Sequence, residues 1–238
     1  MSFIDVVIDM LKPDTVDSVE KIYKVAKRVS KKSPEKDADA LRSILKKGWV
    51  EASEKQVKND VKRMNAALKI KLSLPVNSID KLEQKVIAAY KKDHKKGLAP
   101  SKCKATHSAI KDLVREISRY ENALKEFAKD AFKAKAIADP LERNYKVRKD
   151  TAVVLRDALA KMTKYAFFTA YQGEMATYML QCKDLAKYLS EAQGCTKKLG
   201  VRAKKEATNA VTEAKMTKEQ LQYTSGPNYW EDLEGRIS

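Results

Sequence analysis

The sequence predicts an all-α protein, an elongated helical bundle with two long antiparallel helices, about 101–138 and 141–193, and shorter flanking helices. Three observations carry this. Seven glycines and six prolines punctuate 238 residues, too few for the turns of a β-sandwich or the loops of an α/β enzyme. Charged residues make up 34% and aromatics 7% of the chain, the bias of Ala/Lys/Glu-rich helical proteins. From Ile110 onward, apolar side chains recur at a/d spacing: Ile110, Leu113, Ile117, Tyr120, Leu124, Phe127, Ala131 and Ala134. An unbroken heptad run of this length is the pattern of a buried helical seam.

The remaining elements follow from their punctuation. Residues 1–12 form an opening amphipathic helix that Pro13 closes. Asp14 or Thr15 caps a helix with Val19, Ile22, Ala26 and Val29 on one face. Ser33-Pro34-Glu35 is an N-cap followed by proline at the first helical position. The helix it starts carries Leu41, Ile44 and Leu45, meets Gly48, and resumes through Val50, Val57, Val61, Met64 and Leu68 until Leu74-Pro75. Ser78 opens a short helix with Ile79, Leu82, Val86 and Ala89 that ends at Gly97–Pro100. Asp139-Pro140 marks a break between the two long helices, since proline lacks the donor a helix interior needs. A last helix occupies about 200–222. The organisation expected is thus one structural domain, with a basic helical region over 14–97, a long-helix bundle over 99–222, and a flexible acidic and aromatic tail over 223–238.

Charge is unevenly distributed. Forty-nine Lys+Arg against 32 Asp+Glu leave a net +17. Residues 19–96 alone carry 22 basic and 10 acidic side chains. The pairs Lys31-Lys32, Lys46-Lys47, Lys91-Lys92 and Lys95-Lys96 mark a candidate polyanion-binding surface. Lys outnumbers Arg 39 to 10. Bidentate base reading prefers Arg, so the expected attraction is to phosphate backbones or anionic headgroups, without sequence specificity.

Catalytic chemistry is not assembled by any motif. There is no GxGxxG or GxxxxGK[ST] run, so no phosphate-cradling loop is expected. Cys103 and His107 share a helix face with no second ligand pair, so no metal and no cofactor are expected. The acids lie at helical spacing from bases, as in Glu116 with Arg119, Glu121 with Lys125 and Glu126 with Lys129. Three cysteines without framework spacing suit a reducing, intracellular compartment, cytoplasmic or inside a virion. No secretory leader is read at the start.

Three apolar features remain, besides the seam. Phe3, Ile4, Val7 and Leu11 on the opening helix, and Tyr229, Trp230 and Leu233 in the acidic tail, are candidate partner-docking residues. Residues 165–182 carry Glu174 as their one charge but are too polar for a simple membrane span, and read as the buried centre of the bundle.

The expected function is a non-enzymatic structural or assembly protein, virion-internal or nucleoid-type. Its basic face would contact nucleic acid, and it would self-associate through the 110–134 seam as a homo-oligomer or larger assembly, with no small-molecule substrate. In outline, the long helices, proline break, amphipathic start and surplus lysine resemble the BAR-domain proteins. That resemblance implies the alternative, a membrane-surface scaffold on anionic lipid. The acidic polar face of the first helix departs from that pattern.

Overall fold

The computed structural model describes residues 16–31, 38–70, 73–164 and 172–236. They form seven α-helices: α1 (Val16–Lys31), α2 (Ala38–Lys46), α3 (Trp49–Lys69), α4 (Ile79–Lys95), α5 (Lys104–Met162), α6 (Gln172–Thr224) and α7 (Asn228–Gly235). A 3-10 turn, Pro100–Lys102, precedes α5, and no strand occurs among the described residues. The chain divides into two compact units: Met1–Lys71 with Lys133–Ala203, and Leu72–Phe132 with Lys204–Ser238. Each long helix supplies one segment to each unit.

In the first unit α1 buries Val19, Ile22, Ala26 and Val29 and packs on α2, which packs on α3. Gly48 separates α2 from α3 at φ 69, a left-handed conformation that costs glycine nothing and other residues about 1 kcal/mol or more. Val50, Val57, Val61, Met64 and Ala67 form the buried face of α3. The far end of α3 is closed by Arg202 of α6, which donates to the carbonyls of Leu68 at 2.7 Å and Ile70 at 2.5 Å. Those are carbonyls a helix end otherwise leaves unpaired. The two long helices run antiparallel here. A Cβ on Gly200 would lie 3.2 Å from that of Ala138, and further along α5, Lys149 donates to Gln193, earlier in α6. Small residues at the seam, Ala134, Ala138 and Ala203, are what permit so close an approach.

The long helices have other bounds than the sequence suggests: the expected helix 141–193 is divided, 141–162 continuing α5, while α6 takes in 172–193 and the last helix expected over about 200–222. Pro140 lies inside α5, not at its end. It is exposed, so the carbonyl it leaves without a donor can be solvated, while the buried Ala134, Ala138 and Tyr145 hold the helix on both sides. Packing overrides the local cost. Likewise α6 runs through Gly194 and Gly200 without interruption. Residues 172–182 are not a buried centre: Met175 and Cys182 are buried, but Leu180 is 63% exposed, and 165–171 lie outside the described residues. No helix among the described residues is long and apolar enough to cross a membrane.

In the second unit Ile79, Val86 and Tyr90 of α4 pack with Leu113, Ile117, Tyr120, Leu124 and Ala128 of α5, Ala210 and Ala214 of α6, and Tyr229 and Leu233 of α7. Ile110 and Phe127 are half-buried against this core. The helix starts are held by carboxylates. Glu116 accepts from the Ser78 amide at the head of α4, at 3.0 Å, and Asp93 accepts from both the amide and the hydroxyl of Thr106 in the first turn of α5.

Candidate polyanion-binding surface

The eight lysines marked by the sequence do not form one cluster within a unit. Lys31, Lys32, Lys46 and Lys47 belong to the first unit; Lys91, Lys92, Lys95 and Lys96 belong to the second. Lys46 and Lys47 are exposed at the end of α2. The side chain of Lys31, and Lys32 altogether, lie outside the described residues. On α4 the four lysines surround the last turn and are exposed, while Asp93 among them points inward and is buried. Cations at a helix C-terminus offset its partial negative charge, so this cluster has a structural role already. Two turns before the cluster on α4, Glu83 pairs with Arg236 at 2.8 Å, which also meets Asp232 of α7 at 2.7 Å.

The charge divides unequally between the units. The first carries 31 Lys+Arg against 18 Asp+Glu, the second 18 against 14. The first unit also carries a stripe of solvent-facing cations on α3, which the sequence reading did not single out. Lys55, Lys62 and Lys69 recur every seven residues, all exposed, with Arg63, Gln56 and Asn59 beside them. The signal for this stripe was present as a heptad of lysines. Glu51, Glu54 and Asp60 in the same window obscured it: Glu54 has a local partner, but those of Glu51 and Asp60 are set by tertiary contacts. Glu54 pairs with Lys58 at 2.5 Å, whose ammonium also sits 4.7 Å from the Tyr188 ring centre. Asp60 accepts from the Tyr145 hydroxyl at 2.9 Å, and Glu51 from the Gln181 amide at 3.3 Å.

The other polar groups are engaged structurally. Glu116, Glu121 and Glu126 pair with Arg119, Lys125 and Lys129 as their spacing predicts, and Glu116 and Glu121 are buried as well. The Arg119 guanidinium and the Ser78 amide lower the Glu116 carboxyl from 4.5 to about 2. Buried Thr151, Thr196 and Thr217 return their hydroxyls to the carbonyl four residues back. All three cysteines are free and buried; burial pushes the Cys182 thiol up to about 12, where it is a poor nucleophile. His107 is exposed, its ring tilted against Trp230 with centres 4.8 Å apart and a nitrogen 3.1 Å from the Pro100 carbonyl, while Cys103 is buried with its thiol directed to the Ala99 carbonyl. No group of three or more metal-ligating side chains occurs among the described residues. A cavity of about 10 Å³ among Leu45, Leu159, Met162 and Met175 has room for one water.

The docking expectations fare differently. Tyr229 and Leu233 are 2% and 0% exposed, so the tail is not a free docking peptide. Its apolar side chains fill the second unit's own core, and Trp230 is half-buried between Tyr90 and His107. Phe3, Ile4, Val7 and Leu11 lie outside the described residues. In the seam, Leu113, Ile117, Tyr120 and Leu124 are consumed within a single chain, so self-association through them would require that core to open.

The fold and surface define a class: an all-α bundle protein built on two long antiparallel helices with lysine-rich exteriors. No protein-family model, curated protein or solved structure matches the chain.

Proposed function

We propose that this chain is a non-enzymatic structural protein of assemblies that contain nucleic acid, touching phosphate backbones through lysine-rich helix faces without reading sequence. The observation that carries the reading is the first unit's charge, 31 basic against 18 acidic side chains, together with exposed lysines on its described helices, whose apolar faces are spent on their own core. Diffuse, Lys-dominated charge supports backbone contact over base reading. The setting would be a virion interior or a nucleoid.

The test is binding to random-sequence duplex at two salt concentrations. Each phosphate neutralised contributes about −0.9 to the slope of log K against log salt, so an affinity that hardly responds to salt would overturn the reading. Anionic vesicles in parallel report the membrane-scaffold alternative, and sedimentation of the same samples reports assembly.

A further inference from the structure

Resting on that reading, we infer that the outer face of α3, and not the lysine cluster at the end of α4, is the surface that receives the nucleic-acid backbone. Between Ala52 and Lys69 this face presents Lys55, Asn59, Lys62, Arg63 and Lys69 to solvent and contains no acid. The acids of α3 stand at its edges and are each held elsewhere. Glu54 is turned to Lys58, Asp60 to Tyr145, and Glu51, at the N-terminal edge, to Gln181. Lys55, Lys62, Arg63 and Lys69 enter no ion pair among the described residues. From Lys55 to Lys69 the stripe extends about 21 Å at 1.5 Å per residue, long enough to follow several phosphates of one strand, which are about 3.4 Å apart along the duplex axis.

The chemistry of the face favours nucleic acid over lipid. A helix lying on a bilayer buries its apolar side chains in the lipid, but those of α3 are already inside the protein: Val57 and Ala67 are 0% exposed and Met64 is 1%. No large apolar side chain remains on the outer face. What accompanies the cations is Gln56, Asn59 and two alanines, and Asn and Gln are among the neutral side chains that hydrogen-bond phosphate and sugar oxygens. The α4 cluster is the weaker candidate, because its lysines crowd a helix C-terminus and already offset its partial negative charge.

The experiment compares the full chain with two triple variants, Lys55→Gln/Lys62→Gln/Lys69→Gln on α3 and Lys91→Gln/Lys92→Gln/Lys95→Gln on α4. Each is titrated with a fluorescent random-sequence duplex and with anionic phosphatidylserine vesicles across a salt series. The α3 variant should melt like the parent yet reduce the salt slope by about 2.7, for three lost phosphate contacts at about 0.9 each, with affinity at least tenfold lower at low salt. The α4 variant should reduce it much less. Duplex binding that survives the α3 changes and fails with the α4 changes overturns this inference but leaves the functional reading intact. A parent chain that binds vesicles and no duplex, or neither, overturns the functional reading itself.

Discussion

The Tyr145 hydroxyl donates a 2.9 Å hydrogen bond to the Asp60 carboxylate, 85 residues earlier in the chain. It joins α5 to α3 and turns an acid of α3 away from its lysine stripe. A hydrogen bond to a charged group is worth about 1.5–3 kcal/mol, and Asp60 has further partners, so Tyr145→Phe should cost about 1–2 kcal/mol in urea denaturation. A midpoint unmoved by the substitution would show that this link does not hold α3.

Gly200 tests the approach of the two long helices. A Cβ there would sit 3.2 Å from Ala138, tight but close to tolerable, and alanine gains about 1 kcal/mol of helix propensity. Gly200→Ala should therefore be near neutral. Gly200→Leu has nowhere to go and should cost about 1–3 kcal/mol or more through overpacking. Equal thermal melts for the two variants would contradict this geometry.

The heptad residues predict their own cost. Leu124 and Ile117 are 0% exposed, so truncating Leu124 to Ala should lose about 2–5 kcal/mol. Lys129→Ala, which removes one partner of the exposed pair with Glu126, should change stability by less than about 1 kcal/mol. Chemical denaturation of the pair separates core from surface.

Glu116 makes stability depend on acid. Its carboxyl is lowered in the folded chain from 4.5 to about 2, so its contribution is complete above the unfolded value and fades as pH falls from about 4.5 towards 2. The expected loss over that window is roughly 1–3 kcal/mol. Glu116→Gln should lower stability at neutral pH and flatten this part of the profile. A parallel profile in the variant would assign the acid sensitivity to other groups.

The tail should behave as part of the fold. Removing 225–238 takes Leu233 and Tyr229 out of the second unit's core and should lower the melting temperature, whereas a docking peptide would leave it unchanged. Tyr229 adds a sharper check. Its hydroxyl is buried with no hydrogen-bond partner, and burial pushes it up to about 12. Tyr229→Phe should thus be neutral or stabilising by about 1 kcal/mol, because it removes an unsatisfied polar atom and keeps the ring.

The helical class, the seam from Ile110 to Leu124 and the faces of α1, α3 and α4 were legible in the sequence, because apolar spacing reports a buried stripe wherever the helix lies. The glycine at 48 was legible too, as the stop between two helices. Three matters were decided only by tertiary structure. Pro140 and Gly200 both weaken a helix locally, yet each lies within one, because the packing of Ala134, Ala138 and Ala203 along the seam outweighs a single missing bond or side chain. Tyr229, Trp230 and Leu233 looked the same in sequence whether they bound a partner or their own core; only the placement of α7 against α4 and α5 decided it. The lysine stripe of α3 shared its window with three acids; Glu54 pairs locally with Lys58, but no local rule says where Glu51 and Asp60 turn. Charge sums are fixed by composition, but the face that a charge occupies depends on partners such as Tyr145 and Gln181, which reach α3 only once the chain has folded.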